Sequence, residues 1–349
     1  MIGLGNRSEV AHGPRTTQCA AGRVAVRANG GAPFRSGPRA GGCRVAQLHL
    51  PAGHCAPVRH RLFGDGEGYH RGGENPRGTP GRQRAVLTDL SDHYGTADAV
   101  ARVREHLEDS QLERLAALDQ FHVGGAAATR RLAERCGFTK GAAILDVGSG
   151  LGGPARLLAT EFGGDVTGID LTPEFGVIAQ ALSAHVGCRD VTRFCAADAL
   201  DLPFADGTFD VVWTEHVAMN IGARDVLYRE LGRVVRTGGR MALYDVVAGP
   251  AREPLTYPVP WAREAGQSHL VDADALRWIV AAAGWDEISV TDESAAALEW
   301  LETARPPGGG GPSLRDVMGP DFPEMIANLR ANFAAGRLGA VQAVFEKPS

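Results

Sequence analysis

The chain has 349 residues, room for one large α/β domain or two small ones, and 44% of them are apolar, enough to bury a sizeable core. No run of 18 or more apolar residues occurs, so no membrane-spanning helix is expected, and residues 1–27 lack the apolar centre of a secretory signal. The net charge of −5 is uneven: residues 1–85 carry +9 and the remainder −14.

Residues 1–85 hold 13 Arg, no Lys and 17 of the 46 glycines, and show no sustained period of two or 3.6. A basic arm of this kind suits nucleic acid or a disordered extension. We expect the disordered extension, with translation starting near Val86. Downstream, apolar residues at Val100, Val103, Leu107, Leu112, Leu115 and Leu118 predict a helix over Thr96–Leu118. A loop follows at Asp119–Gly125, then a helix over Ala126–Cys136 closed by Gly137.

Strands and helices then alternate. Strands are predicted at Ala142–Val147, Asp165–Leu171, Val191–Ala196, Phe209–Thr214 and Met241–Val247. Helices fall at Pro154–Phe162 and Pro173–His185, and a third, carrying Val226, Leu227, Leu231, Val234 and Val235, ends at Gly238–Gly239. Residues 249–271 are irregular and rich in Pro and aromatics. A helix over Asp272–Ala283 is capped by Asp272, and a strand follows at Trp285–Thr291. Helices at 294–304 and 323–335 flank a flexible Arg305–Pro312 span, and Ala340–Phe345 forms the last strand. Seven strands with helices on both faces make a doubly wound α/β sheet.

The chemistry begins at Leu145-Asp-Val-Gly-Ser-Gly-Leu-Gly-Gly153. Gly148, Gly150 and Gly153 satisfy G-x-G-x-x-G, so by that pattern alone a nicotinamide-dependent oxidoreductase fits. Three aspartates point elsewhere. Asp146, just before the turn, would repel a pyrophosphate and suit a ligand bearing an ammonium and a sulfonium. Asp170 ends the second strand, 24 residues on, at the reach of a carboxylate that accepts from ribose hydroxyls. Asp198 follows the third strand, where it can accept from an adenine amino group. Each aspartate alone would also serve as a solvated strand end or a cap.

Residues 141–247 resemble the class I S-adenosylmethionine-dependent methyltransferases. The likeness includes Asp-x-Gly-x-Gly, the acid ending the second strand and Asp198-Ala199. Leu202-Pro-Phe-Ala-Asp-Gly-Thr-Phe-Asp210 and Arg233-Val-Val-Arg-Thr-Gly-Gly239 also belong to it. The flanks are similar to the sarcosine/dimethylglycine N-methyltransferase group, through His93-Tyr-Gly95, Asp119–Gly125, Leu151-Gly-Gly-Pro154 and Thr172-Pro-Glu-Phe175. Trp213–Ile221, Pro258-Val-Pro-Trp261 and Met325-Ile-Ala-Asn328 continue that likeness, which covers about residues 90–347. One departure is Glu215, where this group implies Gln.

The resemblance implies a seven-stranded Rossmann-like methyltransferase sheet with the last strand antiparallel and S-adenosyl-L-methionine as cofactor. Cofactor-binding candidates are Asp146, Gly148, Ser149, Gly150, Gly152, Asp170, Leu171, Asp198, Ala199 and Glu215. The expected divisions are the 1–85 extension, an 86–140 helical cap, a 141–248 cofactor-binding core, and acceptor-lid insertions with C-terminal strands over 249–349. The expected reaction is methyl transfer to the amine of a glycine derivative. The alternative is C- or O-methylation of a quinone, a tocopherol-like phenol or another natural product, since a fold does not choose its acceptor.

An acceptor amine must lose a proton to attack, so a base is sought beside the cleft. His216 is the first candidate, then Glu215, then His122, although each could instead be a packed or capping residue. Trp213, Tyr257 and Trp261 could face a methylated ammonium or simply pack. The likeness implies that Tyr94, Met219 and Asn220 line the same pocket. Six cysteines form no Cys-x-x-Cys pair, and histidines and cysteines show no ligand spacing, so reduced thiols, a cytoplasmic setting and no metal are expected. A small-molecule substrate, no nucleic-acid partner and a monomer or homodimer complete the expectation.

Overall fold

The computed structural model describes residues 119–251, 253–303 and 314–349. The 1–85 segment, Tyr94 with His93–Gly95, the Thr96–Leu118 helix and the Arg305–Pro312 span lie outside the described residues.

The first described helix, α1 (Gly125–Cys136), ends on Gly137, whose φ of 62° is the left-handed C-cap its glycine allows. The alternating core follows as β1 (Ala143–Val147), α2 (Gly153–Glu161), β2 (Asp165–Asp170), α3 (Pro173–His185), β3 (Thr192–Ala196), β4 (Phe209–Glu215), α4 (Arg224–Val234) and β5 (Val235–Ala248). Then come α5 (Ala273–Ala282), β6 (Asp286–Asp292), α6 (Ser294–Thr303), α7 (Leu314–Met318), α8 (Phe322–Ala334) and β7 (Leu338–Glu346). Pro154 and Pro173 sit in the first turns of their helices, where no N–H is needed. Asp272 caps α5 by accepting from the Ala275 N–H at 2.8 Å.

The seven strands form one sheet in the order β3-β2-β1-β4-β5-β7-β6. The first five are parallel, and β7 runs antiparallel between β5 and β6. Neighbouring residues of a strand face opposite sides, so a strand covered on both faces is apolar throughout. In β1, Ile144 joins a core with Leu132 and Leu158 of α1 and α2. Leu145 joins the opposite core with Leu227, Leu231 and Val280 of α4 and α5. These two layers hold the strand ends rigidly around the cleft.

One boundary differs from expectation. Helix α4 stops at Val234 instead of continuing to Gly238–Gly239, and Val235 already pairs with Phe209 of β4. Val235 is β-branched and extended, with φ −85° and ψ 138°, so it gains a ladder partner by leaving the helix. Gly238, at φ 70°, marks an interior turn of the strand region instead of a helix stop.

Candidate active site

The strand order reverses between β1 and β4, and the crevice beyond the carboxyl ends of such strands is where doubly wound sheets take ligands. The glycine turn leaves β1 there, with φ of 72°, 51° and 80° at Gly148, Gly150 and Gly152. A Cβ on Gly148 would lie 2.4 Å from Val217 Cγ2, and one on Gly152 2.6 Å from the Phe194 ring. Both the backbone conformation and the close approach therefore require glycine. Asp170 Oδ2 accepts from the Gly150 N–H at 3.0 Å and Oδ1 from the Thr172 N–H at 2.9 Å. Burial raises its pKa, with the backbone donors of Thr172 and Gly150 opposing. Leu171, Asp198 and Ala199 are half-buried, and Asp198 Oδ1 accepts from the Leu200 N–H at 2.9 Å.

The 119–125 loop lies over this turn. The Phe121 ring is 3.1 Å from where a Gly150 Cβ would stand, and it packs on Phe175 at 6.0 Å between centroids. The Asp119 carbonyl oxygen is 2.3 Å from a Cβ built on Gly153, so the loop presses on the start of α2. Arg156 fixes the contact, donating to Asp119 Oδ2 at 2.6 Å and to the Leu151 carbonyl at 2.8 Å. Both side chains of that ion pair are only 7% exposed.

The second wall rises from β4. Glu215 is buried and accepts from the Thr129 hydroxyl of α1 at 3.0 Å. Burial pushes its carboxyl up to about 8, partly offset by the Trp213 indole and Thr129. His122 Nε2 lies 3.0 Å from the Gly125 carbonyl, which only accepts, so that nitrogen carries the proton. The same N–H is shared with Thr129 Oγ1 at 3.1 Å, and Nδ1 stands 3.7 Å from Glu215 Oε2. Burial lowers His122 to about 4.

His216 occupies the left-handed region at φ 56°, unusual for a side chain with a Cβ, and its N–H bonds the Tyr244 carbonyl at 2.7 Å. Its ring lies 4.9 Å from Tyr244 and 6.0 Å from His122. Burial, then His122, hold its pKa well below the ordinary value. Asp245 pins the following turn by accepting from the Val217 N–H at 3.0 Å.

Among the aromatic candidates, Trp213 is fully buried within the α1-side core. Trp261 is buried with its indole N–H on Ser268 Oγ at 3.0 Å. Tyr257 is half-buried. Met219 is buried and Asn220 half-buried, just beyond His216.

Asp146 Oδ2, Ser149 Oγ, Glu215 Oε1 and His216 Nε2 are buried with no hydrogen-bond partner of ordinary geometry among the described residues. Such atoms are costly to bury without a ligand or water. The Asp146 carboxyl is raised well above its ordinary value by burial, then by Glu215 and Asp170. Two carboxylates, a hydroxyl and a glycine cradle fit a cationic, ribose-bearing cofactor. Sequence reasoning missed Thr129, Arg156 and Asp245, whose partners lie 86, 37 and 28 residues away. It also missed Phe121, although the loop that carries it was singled out. Among the described residues no group of three His, Cys, Asp or Glu is placed to hold a metal ion, and no helix is long and apolar enough to cross a membrane.

Residues 145–243 match the methyltransferase domain family. The chain is 29% identical over 244 residues to methyltransferase GfsG of Streptomyces halstedii, covering 69% of this chain and 85% of that one. It is 30% identical over 224 residues to the 27-O-demethylrifamycin SV methyltransferase of Amycolatopsis mediterranei, covering 63% of this chain and 82% of that one. Haemonchus contortus phosphoethanolamine N-methyltransferase 2, solved with S-adenosyl-L-methionine, shares the fold at a TM-score of 0.59 and 19% identity. That likeness covers 75% of this chain and 60% of the Haemonchus chain. With the seven-stranded sheet, its antiparallel last strand and the glycine turn, these likenesses establish that the chain belongs to the class I S-adenosylmethionine-dependent methyltransferases.

Proposed function

We propose that the chain methylates a hydroxyl group of a small natural product. The observation that carries this reading is the likeness to the 27-O-demethylrifamycin SV methyltransferase along 82% of that protein's length. The polar wall of the site supports it. A glycine derivative brings a carboxylate that needs a cation. Among the described residues, Arg131 and Arg135 pair with Glu293, Arg156 pairs with Asp119, and the buried Arg224 donates to the His269 carbonyl beside Asp245 and Tyr228. A hydroxyl acceptor needs only a base and an apolar surround, which His216, Met219 and the half-buried Tyr257 offer.

In this reading the glycine turn, Asp146 and Ser149 hold the amino-acid end of the cofactor, Asp170 accepts from the ribose, and Asp198 with Ala199 borders the adenine. S-adenosylmethionine, when bound there, would supply an electrophilic methyl on sulfur. His216, whose pKa burial holds well below the ordinary value, would accept the acceptor's hydroxyl proton at its unpartnered Nε2. Glu215, His122 and Thr129 form the hydrogen-bonded wall behind it. The protein otherwise contributes alignment of oxygen, methyl and sulfur.

A second reading, N-methylation of a glycine-derived amine, is supported by the sequence likeness of Trp213–Ile221 and Pro258–Trp261 to that group. Labelled cofactor, offered with 27-O-demethylrifamycin SV, phenols, sarcosine and dimethylglycine, separates the two. A labelled methyl ether is expected; turnover of the amines with none of the hydroxyl compounds would overturn the proposal. His216→Gln is expected to lower kcat by roughly 10²–10⁴, the usual worth of a general base, with cofactor affinity retained.

A further inference from the structure

Asp146 is the penultimate residue of β1 and Glu215 the last of β4, on the two strands that flank the crevice. They are 2% and 9% exposed; among the described residues Asp146 Oδ2 has no hydrogen-bond partner, and Glu215 Oε1 has none of ordinary geometry, the Trp213 indole approaching it only loosely. Among the described residues neither carboxylate has an Arg or Lys partner. Glu215 faces Thr129 and His122 from the α1 side, Tyr244 from β5, Asp146 from β1 and Trp213 on its own strand. Asp146 faces Asp170 from β2 and Glu215 from β4. None of these neighbours supplies a fixed positive charge.

Burying two carboxylates this way is unfavourable unless they hold protons or a cation enters beside them. The donor of a methyltransferase changes charge during turnover: its sulfur is a sulfonium before transfer and a neutral thioether after it. The amino and carboxyl groups of the cofactor are the same before and after.

We propose that Asp146 and Glu215 form a charge-sensing pair that binds the sulfonium cofactor in preference to its thioether product. Binding the cation displaces a proton from the pair to solvent, so one carboxyl becomes a carboxylate as the sulfonium arrives. When the methyl leaves, Asp146 keeps the ammonium as its counter-charge, whereas the Glu215 carboxylate loses the sulfonium, regains a proton from solvent, and the product is held less tightly. Thr129 is the positioning residue, since its hydroxyl fixes which Glu215 oxygen is engaged. The inference rests on the cofactor placement proposed above and involves no acceptor.

Isothermal titration of S-adenosylmethionine and S-adenosylhomocysteine from pH 6.0 to 8.5 tests it. The affinity ratio in favour of the sulfonium should rise roughly tenfold across that range, as expected for one nearby unit charge in a protein interior. Glu215→Gln should flatten the rise while leaving S-adenosylhomocysteine affinity at pH 6.0 within about threefold. Titrations in buffers of different ionisation enthalpy should show proton release with S-adenosylmethionine beyond that with S-adenosylhomocysteine, and Glu215→Gln should abolish the excess. Thr129→Val, which should move the rise to higher pH, supplies a second variant should Glu215→Gln unfold. Parallel pH curves for both ligands in the unmodified protein would overturn the proposal. Asp170→Ala keeps the two readings apart: if it weakens both ligands while their curves stay parallel, only charge sensing fails. If it changes neither, the cofactor placement fails.

Discussion

The Thr129 hydroxyl donates to Glu215 Oε2 at 3.0 Å, joining a helix and a strand end 86 residues apart. The same hydroxyl accepts from His122, so one side chain orients both neighbours. Thr129→Val keeps the shape and removes this link. It leaves Glu215 with one donor fewer, so its carboxyl should titrate at still higher pH. The pH midpoint for S-adenosylmethionine binding should move upward, and affinity at pH 7.5 should fall by about 1–2 kcal/mol. An unmoved midpoint would count against the role of this hydroxyl.

Gly152 and Gly187 make a controlled comparison. Their φ values are 80° and 76°, but a Cβ at Gly152 meets the Phe194 ring at 2.6 Å and Arg156 Nη1 at 2.9 Å, whereas one at Gly187 meets nothing within 4 Å. Gly187→Ala should cost only backbone strain, about 1 kcal/mol. Gly152→Ala should cost that and more, about 3 kcal/mol, and should weaken S-adenosylhomocysteine binding. Urea denaturation of both variants reads the difference; equal losses would show that the surroundings of the turn do not matter.

Asp119 and Arg156 tie the 119–125 loop to α2 through a pair only 7% exposed on either side. Asp119→Ala leaves a buried guanidinium short of its carboxylate, although the Leu151 and Ala179 carbonyls and Ser183 Oγ still accept from it. Removing one partner of such a pair costs about 3 kcal/mol. The thermal midpoint should fall, and hydrogen exchange of residues 119–125 should quicken. A loss below about 1 kcal/mol would mean that the remaining acceptors suffice.

His122 is buried neutral, its pKa lowered from 6.5 to about 4 by burial. The unfolded chain binds that proton more readily than the folded one. The stability it contributes is therefore complete above pH 6.5 and is lost progressively as pH falls towards 4. The shift corresponds to about 3 kcal/mol. Denaturation curves from pH 7.5 to 4.5 should show this slope, and His122→Asn should reduce it. An identical slope in the variant would assign the acid sensitivity to other groups.

Much of the fold was legible because its causes are local. Alternating apolar strands and helices, Pro154 and Pro173 in first turns, Gly137 as a cap and Asp272 as another all declare themselves within a few residues. The end of α4 did not, because Val235 leaves the helix for Phe209, a partner supplied by another strand. The site divides in the same way. Asp146, the glycines and Asp170 lie along one strand–turn–helix–strand unit, so spacing alone could point to them. Thr129, Arg156 and Asp245 are ordinary residues in sequence and gain meaning only from distant partners.

Within the sequence itself, a glycine turn with aspartates before and after it points to a nucleoside-binding layout and, by its charge, to a cationic ligand. Tertiary structure alone decided that Asp146 and Glu215 stand buried on adjacent strands with no Arg or Lys partner among the described residues, and that Glu215 is wired to His122 through Thr129. The physical reason is range. Conformational preference acts over a few residues, whereas desolvation and electrostatic coupling depend on what folding places around a group.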